Sequence, residues 1–314
     1  MRILSFGLAL APFFFQALGL KIACAQMWIE HTPLDYAANN FYKDDATSLI
    51  NGGIVNLRDS TVDLAGNAET QGLKNYVRNR NYRLIGIIVE VGYRLVANKA
   101  AGISTLADLK GKRIGTFAGT SAEVFVHQLL ASAGLSESDY TTVNGNVCMR
   151  EPCGGNTFPA QLKDRRIDAF GVWETSVELG IQALGEDNVV VFKNSSIYRE
   201  IYSLYSTEEK LRDRQTRQRI VQFVRALNQT YEVFRNASDT VYTTVAQTVN
   251  VDVPVLKNVW EDHVWGPGIL GKDLLDFLEN EDQYLARVDR RQPFSRADLE
   301  RFVDTSVYEE AMQG

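Results

Sequence analysis

The chain has 314 residues, with 33 Lys and Arg against 39 Asp and Glu, a net charge of −6. Its 45% hydrophobic and 23% charged fractions are those of a globular protein, and its seven prolines form no low-complexity run. Disordered and fibrous chains are therefore excluded, and the acidic balance argues against a nucleic-acid partner, which calls for clustered Lys and Arg. The one basic cluster, Arg212 to Arg219, is interrupted by Asp213 and glutamines and reads as a solvated helix face.

In chain order, the first feature is a targeting segment. Met1 and Arg2 give a short positive start, and 3–15 is apolar, too short for the roughly 20 residues of a membrane span. This is the layout of a cleaved secretory signal peptide. Two small-residue cleavage sites fit. Ala17-Leu18-Gly19 would release Leu20, and Ala23-Cys24-Ala25 would release Gln26. The stretch 20–29 also reads as a buried first strand, which favours cleavage after Gly19, with 25 as the alternative end. Lys21 stands where a lipid anchor on Cys24 would need an apolar residue.

The next part alternates strands and helices. A helix is expected over 34–42, a strand over 46–50, a helix opened by Asn51-Gly52-Gly53, a strand over 61–65 and a helix over 69–78. The apolar run 83–90 marks a central buried strand, and 93–98 another strand that crosses to a second unit. There the pattern restarts. A helix over 104–110 precedes a strand over 112–117. The helix over 120–133 sets Ala122, Phe125, Val126, Leu129, Leu130 and Ala133 on one stripe and ends at Gly134. Then come a strand over 140–143, a helix over 158–165, a strand over 167–172, a helix over 174–184, and strands over 189–192 and 201–206. Such alternation predicts an α/β fold of parallel, doubly wound sheets. From about 206 the chain reads as helical, with Ile220, Phe223, Val224, Leu227, Tyr231 and Phe234 on one stripe and Leu274, Leu275, Leu278 and Leu285 on part of another. Ser295 to Asp298 resembles a capping box. The resulting division is 20–95 with 204–314 as lobe I and 96–203 as lobe II, with two strand crossings as a hinge.

There are three cysteines. Cys148 and Cys153 flank a Pro-containing loop and, in an oxidising compartment, are most simply a local disulfide. A metal reading needs two more ligands, and His31, His127 and His263 show no ligand spacing. No metal and no cofactor is expected. Three sequons, at Asn194, Asn228 and Asn236, are glycan sites only in a secreted eukaryotic chain.

Three segments carry a resemblance. They are 60–66 (STVDLAG), 102–115 (GISTLADLKGKRIG) and 166–174 (RIDAFGVWE). In this order they resemble the solute-binding proteins of nitrate, sulfonate and taurine ABC importers and the related NMT1/THI5-like thiamine-precursor group, over roughly 20 to 290. The resemblance implies a periplasmic-binding-protein-like type II fold, with one ligand between two lobes, usually as a monomer. It also implies a membrane importer subunit as partner. Against the family pattern 36–50 is short and the 148–153 loop is an insertion. A eukaryotic source would instead make this a secreted binding protein with no transporter.

In open α/β sheets ligands sit at the carboxyl ends of strands. Those ends supply Trp28, His31 and Thr32; Asn67 and Glu69; Gly119, Thr120 and Ser121; and Trp173 and Glu174. Gly119 to Ser121 opens a helix, whose free N–H groups can meet a ligand, although Thr120 to Glu123 also reads as a capping box. Trp173 reads as a stacking wall or as core. His127 is expected at the surface, and His263 carries no signal. The loops offer Glu30, Glu69 and Glu174 but no Lys or Arg. Carboxylates with Trp28 and Trp173 suit a neutral or cationic amine or flat heterocycle, such as a thiamine-pyrimidine precursor, better than a sulfonate.

The rival class is the thiamine-pyrimidine synthase that the resemblance brings with it. That group has a cysteine-rich iron-binding motif on the return strand and a lysine and histidine after the strand ending here at Ala65. This chain has Ile201 to Ser206 without cysteine, and Gly66-Asn67-Ala68-Glu69. No nucleophile elbow, phosphate loop or zinc motif occurs. The expectation is a non-enzyme, secreted or periplasmic.

Overall fold

The computed structural model describes residues 19–43, 45–266 and 272–313. The expected export segment therefore lies, but for Gly19, outside the described residues. The first run comprises β1 (Leu20–Cys24), α1 (Thr32–Asn40), β2 (Thr47–Asn51), β3 (Leu64–Ala68), α2 (Glu69–Tyr76) and β4 (Tyr82–Val91). The second comprises β5 (Leu95–Asn98), β6 (Arg113–Gly115), α3 (Ser121–Ala131), β7 (Thr141–Val143), α4 (Phe158–Lys163), β8 (Ala169–Gly171), α5 (Ser176–Leu184) and β9 (Val189–Phe192). The third comprises β10 (Glu200–Thr207), α6 (Glu208–Arg212), α7 (Arg214–Arg235), α8 (Asp239–Val249), α9 (Val253–Val259) and β11 (His263–Trp265). It continues with α10 (Lys272–Val288), α11 (Arg296–Phe302) and α12 (Ser306–Met312).

These strands form two sheets, ordered β11-β4-β10-β3-β1-β2 and β7-β6-β8-β5-β9. Both are mixed rather than parallel. β1 runs parallel to β2 and β3, and β6 to β7 and β8. β10 is antiparallel to β3 and β4, β11 to β4, and β5 to β8 and β9. Strand–helix alternation predicts the parallel core of each sheet, but a strand arriving from the other sheet has no helix to set its direction. The chain changes sheets in two short non-strand linkers, 92–94 and 193–199, and not along strands as expected.

Two elements shrink relative to expectation. β1 ends at Cys24, not 29, because Gly52 N–H closes on the Cys24 carbonyl and 29–31 turn into a 3-10 helix. The segment after Gly53 is likewise 3-10 (Ile54–Arg58). β4 is buried along most of its length, as its apolar run requires. The α7 stripe from Ile220 to Phe234 faces the core throughout. Each such side chain contributes roughly 1.5–3 kcal/mol by leaving water. Ser295 closes the expected box at α11, its hydroxyl accepting from Asp298 N–H at 3.2 Å. Cys148 and Cys153 form the expected disulfide. Of the sequons, Asn194 and Asn236 are exposed, whereas Asn228 is half-buried inside α7 and its Thr230 is fully buried. Among the described residues no helix is long and apolar enough to cross a membrane.

Candidate functional site

A cavity of about 360 Å³ lies where the two sheets face each other. Trp28, Glu30 and His31 reach it from the turn after β1, Gly52 and Gly53 from the turn after β2, and Asn67 from the end of β3. From the other side come Thr120 and Ser121, at the start of α3, and Trp173, after β8. Glu200 and Tyr202 of β10 complete the floor. Gly53 is needed for close approach, since a Cβ there would stand 2.4 Å from the Asn67 side-chain nitrogen.

The walls are aromatic. Trp28 and Trp173 meet across the gap with ring centroids 5.0 Å apart, and Trp173 stacks on Phe117 at 5.2 Å. The Trp173 indole N–H donates to the Ser121 hydroxyl at 3.2 Å. That hydroxyl is a hub. It lies 3.0 Å from the Tyr93 hydroxyl and donates to Glu200 Oε1 at 3.3 Å. Tyr202 places its hydroxyl 2.6 Å from His31 Nδ1.

The electrostatics are those of a buried acid site. Neither carboxylate oxygen of Glu30, nor Oε2 of Glu200, has a hydrogen-bond partner on another residue, although both side chains are almost wholly buried. Burial, with Glu174 nearby, pushes the Glu30 carboxyl up to about 7. Burial, then the charges of Glu30 and Glu69, holds Glu200 well above the ordinary carboxyl range. His31 is driven down to about 3 by burial, so it is neutral at neutral pH and offsets neither acid. Among the described lining residues none is Lys or Arg.

Six of the ten expected site residues share this cavity: Trp28, His31, Asn67, Thr120, Ser121 and Trp173. The other four are placed elsewhere. Thr32 is buried, its hydroxyl donating to the Ile29 carbonyl at 2.7 Å, and it lines a neighbouring cavity of about 140 Å³. Glu69 is fully buried at the start of α2 and accepts from the Tyr198 hydroxyl at 2.8 Å and from Ile201 N–H at 2.6 Å. Gly119 has φ +74° and offers its carbonyl to Gln71 and Lys74 at 3.2 and 3.3 Å. Glu174 accepts from Arg94 Nε at 2.7 Å and from Glu178 N–H at 3.1 Å, which accounts for a carboxylate so deeply buried. The expected capping box at α3 does not form. The Thr120 hydroxyl donates to the Phe117 carbonyl, and Glu123 accepts instead from Gly119 N–H at 2.7 Å.

Sequence reasoning did not single out Gln71, Glu200 or Tyr202. A glutamate opening the otherwise uncharged run of β10 was the available signal for Glu200. His127, expected at the surface, is wedged 4.5 Å from the Tyr284 ring of α10. His263 is buried, with Nδ1 2.9 Å from the Val259 carbonyl. Cys24 is a buried thiol, pushed up to about 12 by burial.

Solved structures with this fold include an alkanesulfonate-binding protein, SsuA, from Xanthomonas axonopodis pv. citri bound to MOPS. It has a TM-score of 0.72 and 16% identity, with 91% of this chain and 98% of that chain covered. A Candida albicans gene product, described as having the generic periplasmic binding protein fold, has a TM-score of 0.62 and 14% identity, covering 91% and 96%. The desulfurization enzyme DSZB has a TM-score of 0.60 and 18% identity, covering 94% and 99%. No curated protein matches the chain in sequence. The fold is that of the periplasmic binding proteins, α/β with a helical C-terminal region. The NMT1/THI5-like family model matches residues 57–240, more than half of the chain, and the chain belongs to that family.

Proposed function

We propose that this protein is a non-catalytic solute-binding protein that takes one small molecule into the cavity between two lobes, 20–95 with 204–314 and 96–203. The observation that carries the reading is the shared wall. Trp28 and Asn67 come from one sheet, Ser121 and Trp173 from the other, so a ligand touching both would hold the lobes together. The ligand class is a neutral or cationic amine or flat heterocycle. Paired indoles and two buried carboxyls with unpartnered oxygens, with no Lys or Arg in the described lining, favour it over a sulfonate.

The enzyme reading has less support. DSZB shares the fold, but here Cys24 is buried and held as a thiol, which makes it a poor nucleophile. Export belongs to the same proposal. β1 lies between β2 and β3, so cleavage after Ala25 would remove an interior strand, and cleavage after Gly19 would spare it. The disulfide suits an oxidising compartment. A monomeric state and, for a bacterial source, a membrane importer subunit as partner complete the reading.

The test is a thermal-shift panel of amines, pyrimidines, sulfonates and nitrate. A ligand bound only by the folded state raises Tm by mass action. The expected result is a shift with an amine or heterocycle that is lost in Trp173→Ala. A panel without any shift, or one led by sulfonates, overturns the corresponding part of the proposal.

A further inference from the structure

Four carboxyl side chains form a buried series running back from the cavity. Glu30 and Glu200 line it, 2% and 3% exposed. Behind them Glu69, at the start of α2, and Glu281, in the middle of α10, are 0% and 1% exposed. Glu200 feels the charge of both Glu30 and Glu69, and Glu281 that of Glu69 and Glu200, so the four act as one electrostatic unit.

Among the described residues, the groups facing this series do not neutralise it. Tyr93, Tyr198, Tyr202 and Ser121 are hydroxyls, and His31 is neutral. The nearest cation behind Glu174, Arg94, is shared among Glu174, Glu178 and Asp262 at 2.7, 3.1 and 3.3 Å. Arg199, next to Glu200 in sequence, turns to Glu90 at 2.8 Å. An isolated buried carboxylate is costly, and several close together cannot all ionise. Without a counter-charge from the protein itself, the series keeps protons. A positive charge entering against Glu30 and Glu200 supplies the missing counter-charge, and their unpartnered oxygens are free to receive it.

We propose that the cavity is a proton-for-cation exchange site, at which an organic monocation with an aromatic body binds Glu30 and Glu200 and releases about one proton from them to solvent. No covalent bond changes: one H⁺ leaves a carboxyl as one ligand charge replaces it. The proposal rests on the reading of this cavity as the ligand site and narrows its ligand from neutral or cationic to cationic.

The probe is benzyltrimethylammonium, whose charge is permanent, so any proton released comes from the protein. Titration calorimetry in two buffers of different ionisation enthalpy counts that proton. The expected result is about one proton released per molecule bound near pH 6, with Kd falling roughly tenfold per pH unit up to about pH 7 and less steeply above it, where Glu30 has already lost its proton. Glu30→Gln and, independently, Glu200→Gln should each reduce the proton count and flatten the pH dependence. The wild-type count stands even if one variant fails to fold. Binding without proton release and without pH dependence overturns the exchange while leaving a cation site. Binding of benzyl alcohol or benzenesulfonate, with the cation excluded at every pH, overturns the ligand class. No binding by any of these probes, together with a flat thermal-shift panel, overturns the cleft reading beneath it.

Discussion

At the scale of single residues, Glu30 holds the most chemistry. It sits in the 3-10 helix after β1, in a cavity wall whose described residues include no cation, and keeps its proton up to about 7. The consequence for stability follows from linkage. The folded state holds this proton at pH values where the unfolded chain has lost it, so Glu30 costs stability as pH rises from about 4.5 through about 7. His31 works the other way. Its folded value near 3 means that stability is lost as pH falls from about 6.5 toward 3. Urea unfolding of Glu30→Gln beside the wild type separates the two arms. The variant should gain on the wild type as pH rises through that window and leave the acid arm unchanged. A stability difference that does not vary with pH would show that the Glu30 carboxyl is solvated. The sequence exposes Trp28, His31, Asn67, Thr120, Ser121 and Trp173 through one rule, that loops after parallel strands meet a ligand. The same rule is blind to Glu200 and Tyr202, which enter from an antiparallel strand. Glu69 and Glu174 also follow strands, but their carboxylates turn to Tyr198 and Arg94 rather than line the cavity.

At the scale of elements, periodicity and punctuation carry the reading as far as local forces decide. The α7 stripe and the α11 cap are local, and both are legible. Strand direction is not local. β5 and β10 arrive from the opposite sheet, and their antiparallel pairing is set by the linkers that deliver them. The end of β1 is also set at a distance, by the contact from Gly52. The 148–153 loop is an element whose role tertiary contacts reveal. Ser176, in the first turn of α5, binds both the Cys148 N–H and carbonyl, at 2.7 and 2.8 Å, and Thr175 donates to the Met149 carbonyl at 2.9 Å. The disulfide thus secures the loop against the helix that follows Trp173. Replacing both cysteines by serine should lower unfolding free energy by up to about 2 kcal/mol, the chain-entropy value for so short a loop. Denaturant melts with and without reductant check this, and reductant should leave the double variant unchanged.

At the scale of the molecule, two sheets joined by two linkers can close only if something holds the rims. Gln71 and Lys74 of α2 reach the Gly119 carbonyl, at the mouth of α3. Farther round, Arg287 of α10 pairs with Glu137 at 2.8 Å, and His127 of α3 packs on Tyr284. These contacts connect helices of the first sheet to those of the second, and they are polar and partly exposed, so each is worth only about 0–1 kcal/mol. That weakness suits the proposed hinged binding protein, which has to open to release its ligand. Ligand contacts to both walls then add to a latch that alone barely holds. Replacing Lys74 and Arg287 together by alanine should weaken ligand binding roughly two- to tenfold. The loss should appear mainly as faster dissociation, because closure follows entry. Small-angle scattering should show a larger radius of gyration for the ligand-free variant than for the ligand-free wild type, with the two converging once ligand is bound. Neither residue lines the cavity, so an unchanged Kd and an unchanged radius together would mean that the rims do not control closure and that the indole contact between Trp28 and Trp173 holds the lobes on its own.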